Sequence, residues 1–177
     1  MPTTNVIRAS DVMTRDVATV REDLPIAKLL EMLPERGYSG FPVVDGDGRA
    51  VGLISQNDVL RALAYAVAGD DLPPEFQAGR RRAATHLIGR ATPAPAPAPD
   101  AAARGSAVAR LLGRPVRDVM TPSVEACAAD APVADVCETM ARRRIHRVVV
   151  LDRERRVAGI IAALDLVRRF GAELRGA

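Results

Sequence analysis

Aromatic side chains are almost missing from this sequence, which has two Tyr, three Phe and no Trp, 3% of its residues. Base-stacking platforms of the kind that hold single-stranded nucleic acid are therefore scarcely available. Histidine and cysteine are equally scarce. The two histidines, His86 and His146, and the two cysteines, Cys127 and Cys137, lie at scattered spacings that make neither a zinc motif nor a nucleophile and base arrangement. Catalysis lacks its parts. The longest apolar runs, such as Val157 to Leu164, fall far short of the roughly 20 residues that a membrane-spanning helix needs. No secretory leader pattern precedes the cysteines, so the expected setting is a reducing cytoplasm, with both as core thiols.

What the chain does have is ordinary core-forming material and a small excess of positive charge. At 177 residues and 48% hydrophobic content it can bury one substantial core or two small ones without metal or disulfide. The net charge is +3 and the isoelectric point is near 9.4. Its arginines cluster at Arg80 to Arg82, at Arg142 to Arg144 with Arg147, and at Arg153, Arg155 and Arg156. A nucleic-acid surface could use such clusters, but no helix-turn-helix or zinc finger accompanies them and the excess is slight. Weak nucleic-acid binding and a ligand-free interaction or dimerisation scaffold therefore stand as the alternative functions.

The organisation is an internal repeat. An ungapped shift of 107 aligns Asp11–Arg61 with Asp118–Arg168, and 17 of the 51 positions are identical. They include Asp-Val-Met-Thr (Asp11 to Thr14, Asp118 to Thr121), the Asp-x-Pro pairs (Asp23 and Pro25, Asp130 and Pro132), Gly52 and Gly159, and Asp58 and Asp165. Two copies of this size indicate a duplicated supersecondary unit, whereas a solenoid would need at least about three shorter ones.

Each copy parses alike. A strand around Val17–Val20 (Val124–Ala128) precedes Asp-x-Pro, which offers a cap and a first-turn proline for a helix over Pro25–Arg36 (Pro132–Arg144). Ile26, Leu29, Leu30 and Leu33, and likewise Val133, Val136, Cys137 and Met140, share one helical face. Phe41-Pro-Val-Val and Val148-Val-Val-Leu each lead through a polar turn into a second apolar strand, a hairpin signal. A final helix starts near Gln56 and near Ala163. The predicted order is strand, helix, strand, strand, helix, within domains 8–66 and 112–172. The 67–111 stretch between them is read as a linker with short helices at Pro74–Leu87 and Ser106–Leu112, and with a mobile alanine and proline spacer over Ala91–Ala103.

These residues resemble the cystathionine β-synthase (CBS) domain family: Asp-Val-Met-Thr before the first strand, the Asp-x-Pro helix start, Pro-Val-Val-Asp (Pro42 to Asp45), and Gly-Leu-Ile-Ser-Gln-Asn-Asp (Gly52 to Asp58). The likeness covers both repeats. It implies an α/β fold of two βαββα units with small mixed sheets and helices, packed as a pseudo-twofold pair and often paired again as a homodimer. It also implies a regulatory, energy-sensing role rather than an enzyme, without a catalytic cofactor. The implied ligand is AMP, ADP, ATP or S-adenosylmethionine, bound in clefts between the units, with the output delivered in trans to a regulated protein. Fold transfers more safely than ligand.

Ser55 and Asp58 read from the sequence as a capping box at a strand-to-helix turn. The resemblance adds a ribose contact at Ser55, Asp58 and Asp165, since a carboxylate can accept from both vicinal hydroxyls. The second copy lacks the hydroxyl, because Ala162 replaces serine, which costs a site roughly 1 kcal/mol. Its Ile145-His-Arg resembles the family's phosphate segment, implying phosphate contacts at His146, Arg147 and the adjacent Arg144. Arg142 and Arg143 equally suit a solvated helix end. The base is expected near the start of each first strand, at Thr14, Val17, Thr121 and Val124, together with Tyr38, although both valines are as readily core residues.

Overall fold

The apolar faces expected on the first helix of each copy are buried, and they set where each core lies. In the computed structural model, which describes residues 6–36, 39–68, 72 and 101–175, Ile26, Leu29 and Leu33 are 5% exposed or less, as are Val133 and Val136. The first copy comprises α1 (Ala9–Val12), β1 (Val20–Arg21), α2 (Ile26–Arg36), β2 (Gly40–Val44), β3 (Ala50–Ser55) and α3 (Gln56–Ala68). After α4 (Ala101–Gly113) a single 3-10 turn (Val116–Asp118) leads into β4 (Thr121–Pro122), β5 (Ala126–Ala128), α5 (Val133–Arg143), β6 (Arg147–Leu151), β7 (Val157–Ala162) and α6 (Ala163–Leu174). The fold is mixed α/β.

The chain divides into two compact units that cut across the repeats. One holds the residues up to Thr19, Val44–Val51 and the chain from Val124 onward; the other holds Val20–Val43 and Gly52–Ser123. Each body therefore takes its N-terminal leader from the other copy. In the first unit Ala9 N–H donates to Ala131 O and Ser10 N–H to Ala129 O, both at 2.8 Å, while Val133 N–H donates to Ile7 O at 2.9 Å. In the second unit the same bonds recur 107 residues on: Val116 N–H to Leu24 O at 2.8 Å, Arg117 N–H to Glu22 O at 2.9 Å, and Ile26 N–H to Arg114 O at 2.9 Å.

Those last bonds correct one expectation. No side chain caps α5, Pro132 stands just outside it, and Asp23 spends its carboxylate on Arg21 in a bidentate pair at 2.9 Å. The leader backbone satisfies the first free amide of α2 and of α5 instead.

The first unit's sheet runs β5-β6-β7. Here β5 lies parallel to β6, and β7 antiparallel to it. Central β6 is a continuous buried run, Val148 to Val150, as a strand covered on both faces requires. Ala9, Met140, Ile145, Ile161 and Leu166 complete that core, and Cys127 and Cys137 are only half-buried at its rim rather than inside it. The second unit's sheet runs β1-β2-β3-β4, so its last strand belongs to the other copy's leader. Thr121 pairs with Leu53 and Pro122 with Gly52.

The two glycines shared by the copies explain why the leaders fit. A Cβ on Gly52 would lie 2.5 Å from Met120 Sδ and 2.9 Å from Thr121 O, and one on Gly159 would lie 2.6 Å from Met13 Sδ and 2.9 Å from Thr14 O. Only glycine leaves room for the crossing leader.

The α4 helix is longer than expected and begins inside the spacer. Residues 73–100, with most of that spacer and the helix expected at Pro74–Leu87, lie outside the described residues. The last proline of the spacer is Pro99, so from Ala101 onward an alanine run meets no obstacle to its strong helical preference. No helix among the described residues is long and apolar enough to cross a membrane.

Candidate functional site

Each copy turns from its last strand directly into its last helix, and a carboxylate sits in the first turn. At the start of α3 the capping box forms as expected: Ser55 N–H donates to Asp58 Oδ2 at 2.8 Å, and Asp58 N–H donates to Ser55 Oγ at 3.4 Å. Ser55 Oγ also donates to Asp58 Oδ2 at 2.5 Å. The other carboxylate oxygen accepts from Arg61 Nη2 at 3.2 Å and from Thr121 Oγ1 at 3.4 Å. Asp58 is 7% exposed, and a carboxylate so buried needs a donor set of this kind.

At the start of α6 less of that set survives. Ala162 N–H donates to Asp165 Oδ2 at 2.8 Å, but alanine brings no hydroxyl, and Asp165 is half-buried with no further hydrogen bond among the described residues. The phosphate candidates assemble beside it. Ala163 N–H donates to His146 O at 3.0 Å, and Arg147 lies opposite Ala162 in the β6–β7 ladder. Buried Ile145 anchors the segment, while Arg144 and His146 are exposed. Arg144 ends α5 in the left-handed region, φ +52°. Thr14 joins the same unit, bridged to Ile160 by bonds of 2.9 and 3.0 Å.

At the matching position of the first copy Gln56 N–H donates to Ser39 O at 3.1 Å, and Gly40 stands where Arg147 stands in the second. A Cβ on Gly40 would come within 2.6 Å of Ile54 O, so no side chain fits there. Val17 and Val124 are half-buried, and their side chains bring no polar group. Each follows a residue in the left-handed region, Asp16 at φ +53° and Ser123 at φ +74°. Tyr38 lies outside the described residues. Among the described residues no three His, Cys, Asp or Glu side chains are grouped to hold a metal ion, and burial pushes the Cys127 thiol up, away from a reactive thiolate.

The CBS domain pattern matches the chain over residues 9–65 and again over residues 116–172. The chain belongs to the CBS domain family. This CBS pair is 28% identical over 176 residues to the chloroplast CBS domain-containing protein CBSX1 of Arabidopsis thaliana, covering 94% of this chain and 65% of that one. Against other curated relatives it spans as little as 14% of their length. Among solved structures it is similar to the CBS domain pair of protein MJ0100 in complex with 5′-methylthioadenosine and S-adenosyl-L-methionine, with a TM-score of 0.65 and 21% identity, covering 95% of this chain and 98% of that one. It is also similar to CBSX2 in complex with AMP, with a TM-score of 0.63 and 20% identity over the same shares of the chains. At such identities the likeness establishes the fold.

The structure thus brings Ser55, Asp58 and Thr121 of this CBS pair together in one unit, and His146, Arg147, Asp165 and Thr14 in the other. The sequence reading missed Arg61 on Asp58, and it missed that each threonine lies against the other copy's last strand. One signal was available. Met-Thr and the glycine it covers are both repeated at the same spacing, the mark of a contact made twice.

Proposed function

We propose that this CBS pair is a non-catalytic regulatory module that binds an adenine nucleotide or S-adenosylmethionine and reports it to a partner protein in trans. The observation that carries this reading is the half-buried Asp165 at the first turn of α6, which accepts only the Ala162 N–H among the described residues and lies beside His146 and Arg147. A ribose diol can donate to such a carboxylate, and free amides at a helix start together with two basic side chains favour a phosphate. The ligands in the two similar solved structures, AMP in one and S-adenosylmethionine with 5′-methylthioadenosine in the other, support it. The two free thiols fit the reducing cytoplasm we propose as its setting.

The test is thermal denaturation with AMP, ADP, ATP and S-adenosylmethionine, alongside native mass spectrometry of the purified chain. A ligand at about a hundredfold its dissociation constant is expected to add roughly 2.7 kcal/mol, a midpoint shift of about 5 to 10 °C. If none of the four moves the midpoint and no nucleotide is already bound, the sensor reading fails and the scaffold reading replaces it.

We also propose a homodimer. The last helix of each copy leaves apolar side chains uncovered, Leu60 (65% exposed) and Val67 on α3 and Leu164, Val167 (66% exposed) and Phe170 on α6. Leu60 and Val167 are repeat equivalents, so each copy exposes an apolar residue at the same place on its last helix, and a second chain can cover both helices. Light scattering at tens of micromolar (about the order that ordinary dimer affinities require) is expected to show a dimer, and Leu60→Glu with Val167→Glu a monomer. A monomeric wild type would refute it.

A further inference from the structure

We infer that this CBS pair holds a further binding site in the groove between α3 and α4, and that it takes a small monocarboxylate with an apolar body of about six carbons. The inference stands apart from nucleotide binding, because none of its residues belongs to the contacts proposed above.

The first ground is a void. The helices α3 and α4 face each other through alanines, Ala62 and Ala66 on one and Ala107 on the other, and Leu72 and Leu111 complete the apolar wall of a cavity of about 130 Å³. All five lie in the second compact unit. Ala62, Ala66, Ala107 and Leu111 are buried. Packed interiors hold few voids larger than a water molecule, and one of this size is close to that which takes up benzene. A larger apolar residue in place of one alanine would fill much of it.

The second ground is what stands at the mouth. Arg110 and Arg114 line the same cavity, at the helical spacing that Ala107 and Leu111 set, where a helix facing a neighbour ordinarily carries apolar residues. Arg110 is exposed and its Nη1 donates to Ser106 Oγ at 3.0 Å, which holds the guanidinium along the rim. Arg114 Nε lies 3.7 Å from Asp118 Oδ2. Asp118 balances one of the two positive charges, so a ligand meets a net charge of one. No carboxylate lines the cavity among the described residues. A guanidinium fork matches a single carboxylate. Charge and shape together select a monoanion whose apolar body rests on the alanines.

NMR titration of the isotope-labelled full chain with hexanoate, hexanamide and hexylamine, read on the amides of Ala62, Ala66, Ala107 and Leu111, tests this. Hexanoate is expected to shift those signals to saturation and to bind roughly tenfold or more tightly than hexanamide, the worth of a hydrogen bond to a charged group, while hexylamine leaves them in place. Arg110→Gln is expected to bring hexanoate down to the level of hexanamide. Ala66→Leu, which fills the cavity with protein, is expected to abolish binding of both while the melting midpoint stays at or above that of the wild type. Ala66→Val serves if leucine unfolds the chain. If no probe shifts these amides, the groove is a packing void and the inference fails. If hexanamide or hexylamine binds as tightly as hexanoate, the two arginines merely favour a solvated helix end; if hexanoate binding survives the filled cavity, the anion is held on the surface by charge alone. Either result overturns the site, and neither bears on nucleotide binding.

Discussion

A chain beginning at Asp16 is expected to lose the folded state of its C-terminal half, more than 100 residues from the cut. Residues 7–14 supply five backbone hydrogen bonds to the second copy: Ala9 N–H to Ala131 O, Ser10 N–H to Ala129 O, Val133 N–H to Ile7 O, and the reciprocal pair between Thr14 and Ile160. At about 1 kcal/mol net for each, these alone approach the lower end of the roughly 5 to 15 kcal/mol that holds a native domain together. Packing is lost as well, because Ala9 is fully buried in the core of α5, β6 and β7, and Ile7, Val12 and Met13 pack against it. Met13 also fills the space over Gly159. Amide exchange read on Val148 to Val150 should change from strongly protected to fast. Retained protection there, with an unchanged melting midpoint, would show that the leader is an accessory.

Removing the buried carboxylate is expected to cost far more in the first copy than in the second. Asp58→Ala strands the Ser55 amide and hydroxyl and the Thr121 hydroxyl together and breaks the ion pair with Arg61. Leaving several part-buried donors unmet costs roughly 2 to 3 kcal/mol, which in a chain of this size lowers the ligand-free midpoint by about 5 to 10 °C. Asp165→Ala strands only the Ala162 amide and should cost about 1 kcal/mol, the usual worth of a helix cap. Urea denaturation without nucleotide measures both. Equal costs would mean that the Asp58 network is ornamental to the fold and that Thr121 gains nothing from reaching it. Because Asp58 supports its own unit, any ligand effect in that variant must be taken as the increment over its own ligand-free midpoint.

Much of the local structure was already visible in the residues. Helical spacing of Ile26, Leu29 and Leu33 and of Val133, Val136 and Met140 placed α2 and α5 to within a residue, since burying one face imposes that period whatever lies opposite. The hairpins followed from apolar runs around Asp45 and Asp152. Each of these carboxylates folds its turn by accepting two backbone amides, those of Asp47 and Arg49 and those of Glu154 and Arg156. Ser55 and Asp58 were recognisable as a capping box because both partners lie within one helical turn.

The sequence by itself determined the two copies, the order of elements within each, the family to which they belong, and the residue types available at the two helix starts. Only the tertiary structure decided which copy each leader serves, that Thr121 reaches Asp58 across 63 residues, and that the hydroxyl expected to favour the first site instead helps to occupy its carboxylate. The reason is one of range. Periodicity, caps and turns are written by residues within a few positions of one another, so they appear in any short window. A leader that reads Asp-Val-Met-Thr in both copies carries no mark of which glycine it will cover, and the choice is made by backbone hydrogen bonds and close packing between segments that only the folded chain brings together.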